Sequence, residues 1–221
     1  MSETPWADVD RYLIDLLIPA DEALDYTVKA SAAAGLPSIA VAPPFGRLLH
    51  ILARVAGARR ILEIGTLGGY STIWLARAVG RGGLVTTLEL DPKHAALAEA
   101  NIAHAGLLES VDIRLGRAAD TLASIHGEGG APYDMIFIDA DKASIPEYFT
   151  WSLKLARPGS LMVVDNVIRE GAVIDGTSTD PNVIGVRRFN EMLAAESRVT
   201  ATTIQTVGMK GYDGATFLIV N

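Results

Sequence analysis

The chain has 221 residues, 49% of them apolar, a formal net charge of −7 and no cysteine. That length and apolar content suit one α/β domain over residues 1–221 with a sizeable core. The acidic balance argues against a nucleic-acid partner, and the lack of cysteine excludes disulfides and thiolate chemistry and fits a cytoplasmic protein.

The opening MSETPWADVDRY has neither the basic nor the apolar segment of a signal peptide. No apolar run approaches the roughly 18 residues needed to span a bilayer, so no membrane partner is expected. Val9, Leu13, Leu16 and Leu17 recur at helical spacing and predict a helix over 9–18, ended by Pro19. Asp21 caps a second helix over 22–34, which Gly35 stops. The stretch Leu36–Pro44 holds three prolines and reads as irregular; a third helix is expected over 45–56. These N-terminal helices (1–56) precede the sheet and are candidates for a lid or a dimer contact.

From residue 61 the rhythm becomes strand, helix, strand. Strands are expected at 61–64, 84–90, 111–115, 135–138, 161–164, 200–207 and 215–220. Helices are expected at 70–79, 92–105, 118–125, 146–155 and 182–195, with Asp91 as one cap and Arg157-Pro158-Gly159 as a turn. This alternation predicts a Rossmann-like doubly wound core over 57–221: α/β, seven strands, mostly parallel, helices on both faces. The short GMKGYDG link makes the final two strands a hairpin, so the last strand should be antiparallel.

The sharpest chemistry lies at two strand ends. Met135–Ile138 is apolar and stops at Asp139, Asp141 and Lys142; Leu161–Val164 is apolar and stops at Asp165 and Asn166. In a parallel sheet both ends open on the edge where ligands bind. Asp139, Asp165 and Asn166 then offer three hard oxygen donors, a set suited to Mg²⁺ or Ca²⁺ with water completing the shell. Upstream, Glu63-Ile64-Gly65-Thr66-Leu67-Gly68-Gly69-Tyr70-Ser71 follows a strand and opens a helix, so backbone can approach a ligand at the helix N-terminus. Leu67 occupies the second glycine of a dinucleotide fingerprint, which disfavours a pyrophosphate. Glu89 ends the next strand, where a carboxylate can accept ribose hydroxyls. Gly116-Arg117-Ala118 leaves room for a flat ring. Ser71 is a candidate hydroxyl donor to the ligand, and the four histidines show no metal-ligand spacing.

ILEIGTLGGYS, the Glu89 strand end, FIDADK and VVDN together resemble the cation-dependent O-methyltransferases, a family that includes catechol and caffeoyl-CoA O-methyltransferases. The resemblance runs from about Asp10 to Val220 and is closer to the bacterial and caffeoyl-CoA branch, since Asp141 stands where the animal enzyme has Trp. It implies a class I fold, S-adenosylmethionine as cofactor, and a homodimer. By motif position it assigns Val41, Glu63, Gly65, Ser71, Glu89, Ala118 and Asp139 to the cofactor. Asp139, Asp165 and Asn166 match the ligands of Mg²⁺ (or another divalent cation such as Ca²⁺ or Mn²⁺), and Lys142 matches the catalytic base. The implied reaction is methylation of one hydroxyl of a catechol-like vicinal diol on a phenolic small molecule. The alternatives are a nucleotide-dependent oxidoreductase on a similar fold and a non-catalytic cofactor-binding protein.

Overall fold

Burial on both faces explains why the central strands read as unbroken apolar runs. In the computed structural model, which describes residues 5–221, β1 (Arg60–Ile64), β2 (Leu84–Glu89), β3 (Val111–Leu115), β4 (Tyr133–Ile138) and β5 (Ala156–Asp165) pair in parallel. Residues 1–4, which open the acidic stretch and the expected domain, lie outside the described part. β6 (Val199–Gly208) and β7 (Gly211–Val220) form the expected hairpin, with β7 antiparallel to β5. The sheet order is β3-β2-β1-β4-β5-β7-β6. The chain leaves β1 in one direction and returns through β4 in the other, so the ligand crevice falls at the carboxyl ends of those two strands.

Side chains alternate along each strand, and the helices divide accordingly. Ile61, Met135, Phe137 and Val163 face α3 (Pro43–Val55), α4 (Tyr70–Val79) and α5 (Pro92–His104), where Leu49, Ile73, Trp74 and Ile102 pack. Leu62, Ile64, Ile136 and Val164 face the opposite layer: α6 (Ala118–Gly127), α7 (Ile145–Leu155) and α8 (Pro181–Ala195). There Phe149 and Phe189 meet edge-on, ring centroids 5.3 Å apart. α1 (Pro5–Leu17) buries no residue fully, and α2 (Glu22–Ala33) is held to the core through Leu24 and an Asp21–Arg77 ion pair of 2.5 Å.

Several boundaries depart from expectation, among them the start of α1 at Pro5 instead of Val9. Pro43 and Pro44 belong to α3 and not to the irregular stretch before it, because a first-turn residue needs no N–H partner. β5 starts at Ala156, paired with Tyr133, and the Arg157–Ser160 turn bulges out before pairing resumes at Leu161. Ser160 Oγ closes that bulge, accepting from Arg157 N–H and donating to the Tyr133 carbonyl. The hairpin strands reach to Gly208 and Gly211, leaving only Met209 and Lys210 as the turn.

Candidate active site

A cavity of about 810 Å³ opens at the carboxyl ends of β1, β2, β4 and β5. The Gly65–Gly69 turn forms its floor, with Gly65 at φ 104°, Leu67 at 51° and Gly69 at 84°. Gly65 is required twice over: its φ is left-handed, and a Cβ there would collide with the Asp139 carbonyl oxygen. That crowding is how β1 and β4 bring the turn against the FIDADK strand end.

Glu63 lies under the turn, fully buried. Its carboxylate accepts from Ser71 Oγ at 2.6 Å, Thr72 Oγ1 at 2.5 Å and Thr87 Oγ1 at 2.7 Å. Burial pushes its pKa up to about 7; the three hydroxyls pull the other way and the charge on Asp139 adds to the rise. Ser71 therefore spends its hydroxyl proton on Glu63. Toward the cavity it presents instead a lone pair and a first-turn backbone N–H of α4.

Glu89 is also more engaged than a free strand-end acid. Oε2 accepts from Leu67 N–H at 2.8 Å, and Oε1 accepts from Leu90 and Asp91 N–H, each at 2.9 Å. His94, one of the histidines without a reading in sequence, lines the cavity with Nδ1 3.6 Å from Glu89 Oε1. Oε2 keeps a lone pair that Leu67 does not use, enough to accept a hydroxyl. Asp91 is the α5 cap, accepting from Lys93 and His94 N–H. Val41 and Ala118 line the same cavity as Glu89.

At the other end, Lys142 is 8% exposed and its Nζ donates to Asp139 Oδ1 at 2.7 Å. Asp165 sits close by: burial and the charge of Asp139 raise its pKa to about 7, and Lys142 offsets part of the rise. Asn166 follows in the left-handed region, φ 58°. Asp141 lines the cavity and holds its own connection in shape. It caps the short helix at Lys142–Ser144 and accepts from Tyr148 OH at 2.5 Å.

Among the described residues no three His, Cys, Asp or Glu side chains are arranged to hold a metal. The candidate set is two carboxylates and an amide. Two acids crowded until one resists ionisation are the electrostatic arrangement that a divalent cation relieves, so the donor set fits. Lys210, in the GMKGYDG link, reaches over from the hairpin tip. It donates to the carbonyls of Ser38 and Ala40 and lies in the field of Asp139 and Asp165. The neighbouring Met209 N–H donates to Asp10 Oδ2 at 2.7 Å, tying the tip to α1.

The O-methyltransferase family model matches residues 18–217. The chain belongs to the O-methyltransferase family. It is 52% identical to a catechol O-methyltransferase of Niastella koreensis over 100% of both chains. An O-methyltransferase from Bacillus cereus, solved in complex with SAH, is 54% identical and superposes with a TM-score of 0.97, covering 98% of this chain and 99% of that one. TomG from Streptomyces achromogenes, an O-methyltransferase involved in tomaymycin synthesis and solved in complex with SAM, is 52% identical with a TM-score of 0.97, covering 100% and 99%. These likenesses confirm the Rossmann-like methyltransferase fold and set aside the oxidoreductase alternative.

Proposed function

We propose that this O-methyltransferase transfers the methyl group of S-adenosylmethionine to one hydroxyl of a catechol-like diol, with the help of a divalent cation. The observation that carries the reading is the buried Lys142–Asp139 contact of 2.7 Å beside Asp165, at the cavity mouth of β4 and β5. In this reading Asp139, Asp165 and Asn166 hold the cation. A bound Mg²⁺ would supply Lewis acidity to the diol hydroxyls. Lys142 receives the hydroxyl proton at Nζ. A neutral amine has one lone pair and two N–H bonds, so Nζ can accept that proton on its lone pair while still donating to Asp139.

Gly65 and the turn beneath it let the cofactor's methionine end approach the backbone, with Glu63 and Ser71 setting the turn's shape. Glu89 takes a ribose hydroxyl on Oε2, while Val41 and Ala118 flank the adenine. The protein's contribution is mainly positioning, which places the oxygen in line with the sulfonium methyl. The same reading includes one domain, a cytoplasmic setting supported by the cysteine-free sequence, and a homodimer. Exposed Trp6, Val9, Tyr12, Leu13, Leu16 and Leu17 on α1 support the dimer.

The test is a methyl-transfer assay on catechol and caffeate with S-adenosylmethionine, with and without Mg²⁺. Turnover that EDTA abolishes and Mg²⁺ restores is expected. Full activity of Asp139→Ala after chelation would sink the cation reading. Saturable cofactor binding with no turnover on any diol would point to the non-catalytic alternative.

A further inference from the structure

Arg169 is held in an uncommon conformation at the cavity wall. Its φ is 54°, and Glu170 beside it has the same value. Two consecutive non-glycine residues in the left-handed region persist only where surrounding contacts fix them. Asp213 on β7 does this: Oδ1 accepts from Ile168 N–H at 2.9 Å, Arg169 N–H at 3.0 Å and its own neighbour Gly214 N–H at 2.9 Å. The Val167 N–H adds a bond to the Gly214 carbonyl. The loop after Asn166 is thus pinned to the last strand.

The guanidinium that results is poorly used by the protein. Its nearest carboxylate oxygen, Asp213 Oδ2, is 3.8 Å from Nη1, beyond hydrogen-bond range. Arg169 Nε is buried with no acceptor. Four buried side-chain polar atoms lack a partner among the described residues, and of those only Arg169 Nε belongs to a residue lining the cavity. A buried donor on a cation is costly to leave unpaired, and an arriving acceptor removes the cost. The planar fork of Arg matches a carboxylate. Asp213 offers the guanidinium only the 3.8 Å contact of Oδ2, because its Oδ1 already accepts three backbone N–H groups, and that contact leaves Nε without an acceptor.

We propose that Arg169 is a specificity-determining residue that receives a carboxylate carried by the diol substrate. Asn166, three residues earlier, lines the same cavity, so one loop reads both the diol and the acidic substituent. The inference rests on the diol reading above and adds the charge of the substrate to it.

Calorimetric titration tests it, using wild type, Arg169→Met and Arg169→Lys with SAH and Mg²⁺ present. The ligands are catechol and 3,4-dihydroxybenzoate, which differ only by the carboxylate. Wild type should bind the benzoate more tightly. Arg169→Met should lose roughly tenfold to a hundredfold for the benzoate alone, the range of a charge-assisted hydrogen bond, and Arg169→Lys should recover part of it. Affinity for catechol and for SAH should stay as in wild type, which also reports an intact fold. No wild-type preference, or an equal loss for both diols, overturns the role of Arg169 while leaving diol methylation standing. Failure of wild type to bind either diol overturns both.

Discussion

The Ser71 hydroxyl donates to Glu63 Oε1 across 2.6 Å, joining the first turn of α4 to the buried carboxyl of β1. With Thr72 and Thr87 it makes a closed set of three hydroxyls around an acid that has no contact with solvent.

The stability of the protein should record that acid. The Glu63 pKa is 4.5 ordinarily and about 7 when folded. The folded state thus holds the proton more tightly than the unfolded chain. The stabilisation is complete below pH 4.5 and is lost as pH rises to about 7, amounting to about 3 kcal/mol. Glu63→Gln removes this term. Denaturant unfolding of both proteins across that range should show the wild type losing ground to the variant as pH rises; parallel curves would contradict it.

Gly65→Ala should be damaging out of proportion to its size. The new methyl meets the Asp139 carbonyl, and φ of 104° is strained for alanine. A loss of roughly 1–3 kcal/mol in stability is expected, with weakened SAH binding in the same titration. Gly106→Ala is the control, since it shares a positive φ and has open space around it.

Lys142→Met should lower kcat by about 10²–10⁴-fold, the range for removing a general base. SAH affinity should hold, because the contact of Nζ is with Asp139 and not with the turn. A kcat within threefold of wild type (about 0.6 kcal/mol) would remove Lys142 from the chemistry.

Phe189→Ala serves as the opposite case. Its ring is fully buried against Phe149, and neither residue lines the cavity. It should cost about 3–5 kcal/mol in unfolding free energy, with KM for cofactor and diol unchanged at a temperature where the variant is folded.

Much of this molecule is legible without coordinates because its signals are local. A buried parallel strand is a run of apolar residues, and Asp139 and Asp165 mark where two such runs end. The bonds that give those residues their character are not local. Glu63 finds its hydroxyls 8, 9 and 24 residues away, and Glu89 meets Leu67 across 22. Ser71 was legible as a hydroxyl near the ligand, but the direction in which it donates depends on where the turn places Glu63. Asp141 stands in the sequence as either a pocket wall or a solvent-facing acid; it lines the cavity and is a cap, with Tyr148 OH and Ser144 N–H within its reach. Lys210 lies in the GMKGYDG link and Arg169 is a candidate wall residue of the polar loop, but their partners are distant in sequence: one acts across 170 residues, and the other is oriented by Asp213, 44 residues on.

The antiparallel insertion of β7 between β5 and β6 has a consequence for synthesis. β5 leaves the ribosome well before β7, so Asp165 and Asn166 sit at the end of an edge strand until the hairpin is complete. The nascent chain can assemble β1 to β4 and the turn beside them, but the half of the cavity that would recognise an acceptor forms only when β7 closes on β5. A chain stalled short of that hairpin leaves β5 as an open, adhesive edge.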